Sequence, residues 1–248
     1  VATAFAVAPD GTLHGLGSAE TGGTNSVHQA IDPSGRFLIV ANYASGSVAL
    51  MPLRPDGGLE PAAQVLPMPG EPGPHRTEQA SAHPHHVVLS PDAGHVLVPD
   101  KGLDRVFVLR GDGDRLEIVC EAVLRPGAGT LTPLQCVPTL PPDFFGASTA
   151  AAIVVTPCGR FVYASNRGQD GIARFRVEAD RLEPAGWTPS GGRDPRFMTL
   201  APDGGHLLVA NEQGDSLVEF AIDPGSGDLT QTGARQRPSP CNIAFLRK

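Results

Sequence analysis

The chain has 248 residues, 40% of them hydrophobic and 18% charged, with 30 glycines, 25 prolines and a formal net charge of −7. That length allows one all-β domain with a large core, and so much glycine and proline suits short strands joined by turns. Net negative charge with 5% aromatic residues argues against a nucleic-acid surface, which needs a clustered basic excess, but leaves room for a local cationic site that takes a small anion.

No apolar run reaches the roughly 18 residues of a membrane span, so no membrane partner is expected. The first residues lack the basic, apolar, small-residue order of a signal peptide, and a cytoplasmic location is the expectation.

The chain opens inside a repeat. TAFAVAPDGTL reads as a strand, a turn at Pro9-Asp10-Gly11 and the start of a second strand, followed by a Gly-rich stretch to Gly23. Val27 to Asn42, VHQAIDPSGRFLIVAN, is a β-hairpin around a Pro-x-Gly turn, continued by VALMPLRPDGGL. His83 to Val106, HPHHVVLSPDAGHVLVPDKGLDRV, repeats the hairpin with its turn at Ser90-Pro91-Asp92-Ala93-Gly94, and VFVLRGDGDRL follows. Residues 125–151 carry little strand pattern, and so long a connection is expected to be a functional loop or the scar of a lost segment. Ala152 to Asn166 and Arg196 to Asn211 are the next hairpins, continued by IARFRVEADRL and VEFAIDPGSGDL. Pro240 to Phe245 matches only the first strand of a hairpin.

Leu13, Leu59, Leu116, Leu182 and Leu229 end equivalent segments at intervals of roughly 45 to 65 residues, the range of propeller blades of four strands. Such a unit cannot bury both faces alone, so neighbouring sheets must pack around a common axis. The expected fold is all-β: a β-propeller of four-stranded antiparallel blades forming a single domain over 1–248. Five repeat units are detectable, four complete and one split between the ends. Joining the ends would close the ring and leave no open sheet edge.

Cys120, Cys136, Cys158 and Cys241 are dispersed with no C-x-x-C pair, so neither a disulfide nor a zinc site is expected. Cys158 sits in a turn as a substitute for the Asp or Ser of other copies.

Repetition supplies an internal control, because a residue type present in every copy reads as structural and one that varies is free to be functional. Asn42, Asp100, Asn166 and Asn211 all follow the second strand and read as turn formers. The residues after them, Tyr43, Lys101, Arg167 and Glu212, would ring one face. A second column holds Val27 and His28, His85 and His86, Ala151 and Ala152, and Arg196 and Phe197. There His28, His85 or His86, and Arg196 are expected to border the central channel, where imidazole and guanidinium groups suit an anionic substrate.

The densest polar cluster is His75, Arg76, Gln79, His83, His85 and His86. In extended chain, His83-Pro84-His85 puts both rings on one face, and a neutral imidazole serves as a general base near neutral pH. Substrate or catalytic work, ties between loops and strands, and metal binding are the three readings. The metal reading is the weakest, since the cluster reads as lacking a carboxylate and matches no ligand spacing.

Several motifs then resemble the lactonase family of seven-bladed β-propellers, which includes bacterial propeller-type 6-phosphogluconolactonases and a fungal carboxymuconate cyclase. They are Ala41-Asn42-Tyr43 with Gly46-Ser47-Val48, Arg76 with Gln79 and His83-Pro84-His85, and Asp100-Lys101-Gly102-Leu103-Asp104. Gly159 to Gly168, Asp194-Pro195-Arg196-Phe197 and Val209-Ala210-Asn211 complete the set. The resemblance covers nearly the whole chain in order. It implies hydrolysis of 6-phosphogluconolactone to 6-phosphogluconate, in the pentose phosphate route of glucose metabolism, with no cofactor.

The family's proposed catalytic group in the cyclase branch implies a His of the His-Pro-His region, matched by His85 or His83, and the Arg of Asn-Arg-Gly, matched by Arg167. Its other Arg and its Glu have no counterpart: after Gly127-Ala128-Gly129 comes Thr130-Leu131-Thr132, and the pattern resumes at Leu140 to Gly146. By this comparison the chain lacks an interior blade and most of the first, which would impair activity. Glu212 follows an Asn, but in the last full repeat, and does not transfer.

The resulting expectation is attack of water on a lactone carbonyl, with His85, aided by His83, as base and Arg167 at the oxyanion or phosphate. Arg196 and Lys101 are further phosphate ligands, and Arg76, Gln79, His28, Asn42, Tyr43 and Asn166 are substrate contacts. The alternatives are a non-catalytic propeller that binds a ligand or protein partner, and a lactonising cyclase.

Overall fold

The structure, a computed structural model, describes residues 1–90, 94–112, 114–123, 135–179 and 181–245. The turn residues Pro91 to Ala93 and much of the irregular stretch from 125 onward lie outside the described residues.

Among the described residues there are eighteen strands and no helix. They fall into two compact units, Val1–Pro133 and Leu134–Lys248. The first holds β1 (Ala2–Val7), β2 (Leu13–Ala19), β3 (Ser26–Ile31), β4 (Phe37–Asn42), β5 (Ser47–Pro52), β6 (Gln64–Pro67), β7 (Val88–Leu89), β8 (Val96–Asp100), β9 (Arg105–Asp112) and β10 (Arg115–Val123). The second holds β11 (Thr149–Val155), β12 (Phe161–Arg167), β13 (Gly171–Glu178), β14 (Arg181–Pro189), β15 (Pro195–Leu200), β16 (His206–Asn211), β17 (Ser216–Ile222) and β18 (Leu229–Gln236). Four four-stranded sheets, β3 to β6, β7 to β10, β11 to β14 and β15 to β18, pair consecutive strands only, and β1 and β2 form a two-stranded hairpin. All pairings are antiparallel. This is the repeat read from the sequence, with β1 and β2 as the third and fourth strands of a partial unit.

The middle strands explain why a single sheet is not a stable object. FLIVAN in β4 and SVALMP in β5 are buried at nearly every position, and the period of 2 divides them between two cores. Ile39, Ala41, Val48 and Leu50 pack with Val96, Val98, Phe107 and Leu109 of the next sheet. Leu38, Val40, Ala49 and Met51 pack with Ala2 and Ala19 of the hairpin. The second unit repeats the device: Phe161, Tyr163 and Ile172 meet Met198, Leu207, Val209, Val218 and Phe220. Val162, Ala164, Ala173 and Phe175 take the opposite face, with Val137 and Trp187 against them.

The Pro-x-Gly signals form the same turn each time. Gly35, Gly159 and Gly204 lie at φ of +70°, +70° and +69°, a left-handed conformation that costs glycine little. Their N–H groups donate to Asp32, Thr156 and Ala201 carbonyls at 2.9, 2.8 and 2.8 Å.

One regularity is absent from the sequence reading. In each four-stranded sheet the first strand carries an extra residue against the second, a β-bulge near the end opposite the Pro-x-Gly turn. Ser26 and His28 oppose Asn42 and Ala41, Ala150 and Ile153 oppose Asn166 and Ala164, and Pro195 and Phe197 oppose Asn211 and Ala210. In the β7 to β10 sheet, Pro84 bridges Asp100 and Val88 pairs with Leu97, so His85-His86-Val87 oppose only Val98-Pro99. Bulges re-aim side chains and recur beside functional sites. Here they fall on the column that holds His28, His85, His86 and Arg196.

The expectation for Pro240 to Phe245 is corrected: residues 237–245 belong to no ladder. In the four complete sheets a first strand bonds only to the second strand of its own hairpin, and β1 and β2 supply a third and a fourth.

Candidate functional site

Asp100, at the end of β8, organises the site of the first unit. Its Oδ1 accepts N–H bonds from His83 at 2.8 Å, Gly102 at 2.8 Å and Leu103 at 3.0 Å. Lys101 N–H donates to the His83 carbonyl at 3.0 Å and His85 N–H to that of Pro99 at 3.0 Å, so His83-Pro84-His85 lies extended along the strand end. The two rings therefore point the same way, as alternation predicts, and both reach Tyr43, the residue after β4. The His83 ring stacks on Tyr43 with centroids 4.4 Å apart and an interplanar angle of 11°. The His85 ring meets the same phenol edge-on at 5.4 Å and 87°.

Two tautomers follow from hydrogen bonding. His83 Nδ1 lies 3.0 Å from the Tyr43 carbonyl oxygen. A carbonyl only accepts, so the neutral ring keeps its proton on Nδ1 and leaves a lone pair on Nε2. His28 Nδ1 instead accepts the Val87 N–H at 3.2 Å, which puts the proton of that ring on Nε2. His28 stacks on His86 with centroids 3.5 Å apart. Burial, then the neighbouring His86 and His85, push His28 from 6.5 down to about 4, and burial followed by His85 lowers His86 as well. Both rings are thereby held neutral at neutral pH, as an uncharged edge to the cluster.

The folded state thus holds His28 neutral, while the unfolded chain protonates it with an ordinary affinity. Between about pH 6.5 and 4 the unfolded chain binds more protons, so stability present above that window falls as pH drops through it. His28→Gln is expected to flatten the fall in urea midpoint from pH 7 to about pH 4.5; an unchanged slope would assign the acid sensitivity elsewhere.

Around the rings, several expected contacts prove to be braces. Gln79 Oε1 accepts the His75 N–H at 3.0 Å. Its Nε2 donates to the Lys101 carbonyl at 2.8 Å and to the Asp104 carboxylate. A Cβ on Gly73 would stand 2.2 Å from the Gln79 side chain, so glycine there makes room for the brace. Lys101 is ion-paired with Glu78, whose hydrogen bond holds the ammonium above its ordinary range. The view of the cluster as free of carboxylates is corrected: Glu78, Asp100 and Asp104 all enter it. Arg76 is exposed. Among the described residues no group of three or more His, Cys, Asp or Glu is placed to hold a metal ion.

The second unit carries its own charged group. Arg167 ends β12 with its Nε 3.9 Å from Asp194 Oδ1, and both side chains are largely buried. That separation exceeds a hydrogen bond, and the Nε is buried without a hydrogen-bond partner among the described residues. Arg196, on the bulge of β15, bonds Glu212 Oε2 at 3.0 Å. Each guanidinium expected to take an anion already faces a carboxylate.

The three Asn of this column are buried, at 0% exposure for Asn42 and Asn211 and 1% for Asn166. Each amide ties the strand end to the preceding loop: Asn42 Nδ2 donates to the Thr21 carbonyl at 3.3 Å, Asn166 to Thr139 at 2.7 Å and Asn211 to Ser190 at 3.2 Å. Asn42 and Asn166, expected as substrate contacts, have the structural role that the repeat control gives them. Cys136, Cys158 and Cys241 are free thiols. Cys158 stands in the turn column of Ser34 and Asp203, and a hydrogen bond from Thr156, with help from Arg160, brings its thiol down to about 7.

Comparison with known proteins adds an independent line. The family model described as "Lactonase, 7-bladed beta-propeller" matches residues 1–130 and 117–245, two pieces that overlap over 117–130. A 6-phosphogluconolactonase of Bacillus subtilis is 29% identical over 262 residues, covering 91% of this chain and 74% of the relative. Among solved structures, a periplasmic gluconolactonase of Pseudomonas aeruginosa is similar at a TM-score of 0.83 and 28% identity, over 99% of this chain and 80% of that one. A protein from Lactobacillus plantarum reaches a TM-score of 0.87 at 26% identity, over 96% and 79%.

Proposed function

Since the chain belongs to the lactonase family of seven-bladed β-propellers, we propose that it is a hydrolase that opens a sugar lactone, with 6-phosphogluconolactone giving 6-phosphogluconate as the leading reaction. The observation that carries this reading is the pair His83 and His85 packed against the Tyr43 ring, with a lone pair fixed on His83 Nε2. In the proposed step His85, aided by His83, takes a proton from water as its oxygen bonds the lactone carbonyl carbon. The C–O bond of the ring then breaks, the ring oxygen leaves as a hydroxyl with a proton returned from the imidazole, and the product is the open hydroxy acid.

Hydrolysis of the unphosphorylated aldonolactone is a second reading, favoured by a specific observation. Lys101, Arg167 and Arg196 each face a carboxylate in their own unit, which weakens the case for a dianionic phosphate. The relative from Pseudomonas aeruginosa is named a gluconolactonase.

Proton release is expected to exceed the spontaneous rate of one or both lactones on adding enzyme, measured by pH-stat at neutral pH. Rates equal to the blank for both would reject the hydrolase and leave a binding propeller. The ratio of kcat/KM between the two lactones decides between the readings.

A further inference from the structure

We propose that Asp100 is a positioning residue for the proposed hydrolysis, a buried carboxylate that fixes the His83-Pro84-His85 segment against Tyr43 and supplies the negative charge beside its imidazoles. The inference rests on the hydrolase reading for its rate effects, but its geometry is testable without activity.

The internal control of the repeats points to it. Four equivalent positions follow the second strands, and three are Asn, each donating through Nδ2 to a loop carbonyl. Asp100 has no such donor, collects three backbone N–H groups on Oδ1, and is 3% exposed. Its Oδ2 is buried without a hydrogen-bond partner among the described residues. An unmatched buried carboxylate oxygen is costly, and an Asn would serve the turn, as it does in the other sheets. Burial raises the carboxyl above its ordinary value, opposed by the three N–H bonds. For an acid raised on folding, the sign is fixed: its contribution favours the folded state at low pH and is lost as pH rises above the ordinary carboxylate range. Ionised Asp100 therefore weakens the fold at neutral pH, as a residue kept for function can do.

Its surroundings supply a use. The carboxylate holds the His83 backbone N–H at 2.8 Å, and the ring of that residue stacks on Tyr43. The other charged or titratable groups on that segment are His85, His86, Glu78, Lys101, Asp104 and Arg105, with His28 and Tyr43 across from it. Glu78 and Asp104 are engaged by Lys101 and Gln79, which leaves Asp100 as the anion bonded to the histidine segment itself.

Asp100→Asn separates charge from shape. It is expected to keep the thermal midpoint within about 3 °C of the unmodified protein or above it. It should lower kcat about tenfold or more with KM changed less than about twofold, and move the acidic limb of the kcat/KM profile to lower pH. Independently of turnover, NMR cross-peaks between the His83 and Tyr43 rings should persist in Asp100→Asn, which keeps the acceptor oxygen, and be lost in Asp100→Ala, which removes it from the three N–H groups. Unchanged turnover in Asp100→Asn, or His83–Tyr43 cross-peaks that survive in Asp100→Ala, would overturn the proposal, as would a rate loss that merely follows a lower thermal midpoint. If the unmodified protein opens neither lactone, the hydrolase reading fails by itself, and the NMR cross-peaks still decide for or against Asp100.

Discussion

Replacing His85 with alanine is expected to lower lactone turnover by about a hundredfold or more, because general-base removal of a proton from water contributes on that order. The side chain is exposed and held edge-on to Tyr43, so its loss leaves no cavity in a core and the fold should survive. A loss in kcat with retained thermal midpoint is therefore the predicted result, read from steady-state kinetics and a melting curve on the same sample. His83→Ala is the informative comparison. That ring stacks on Tyr43 and bonds its carbonyl, so its removal should disturb the Tyr43 surface and raise KM as well as lower kcat. If His85→Ala turns over lactone at the unmodified rate while His83→Ala does not, the base is His83, whose free Nε2 lone pair is already in place. If neither variant is slower, the imidazole wall has no part in the chemistry.

The sheets were legible because their signals are local and repeated. Proline and glycine turns, apolar runs of strand length and a recurring leucine each report a few neighbouring residues, and repetition turns weak signals into a strong one. The shared face of His83 and His85 was legible for the same reason, being a consequence of strand alternation alone. What escaped depends on partners distant in sequence. The bulge on every first strand appears only when pairing registers are compared between sheets, although the count from Asn back to the column of His28, His85 and Arg196 already contained it. Glu78 was overlooked within the cluster because spacing along the chain says nothing about which cation it will meet. Gln79 and Asn42 looked like ligand contacts because an amide is equally able to hold a loop, and only its partners decide. Asp100 looked like one more turn former, and its difference emerged when three of four equivalent positions proved to use a donor that it lacks.

Gly102→Ala tests the backbone that all of this hangs on, and is expected to destabilise the first unit by about 3 kcal/mol or more. A Cβ there would stand 1.8 Å from the Ser81 carbonyl oxygen and 2.9 Å from the His83 nitrogen, both backbone atoms. Neither can yield by a change of rotamer. Gly102 cannot easily retreat, since its N–H is held by Asp100 at 2.8 Å and its carbonyl accepts the Gly73 N–H at 2.8 Å. Relief requires moving residues 81–85, which breaks the His83 bond to Asp100 and draws both imidazoles away from Tyr43. The variant should therefore lose activity even where it remains folded, and the near-ultraviolet signal of Tyr43, one of two tyrosines in the chain, should change with it. Gly111→Ala, on β9 with nothing within 4 Å of the added carbon, is the matched control and should be close to neutral. Equal urea midpoints and equal turnover for the two variants would mean that the 81–85 segment does not lie against the end of β8, and the account of how the histidines are aimed would fall with it.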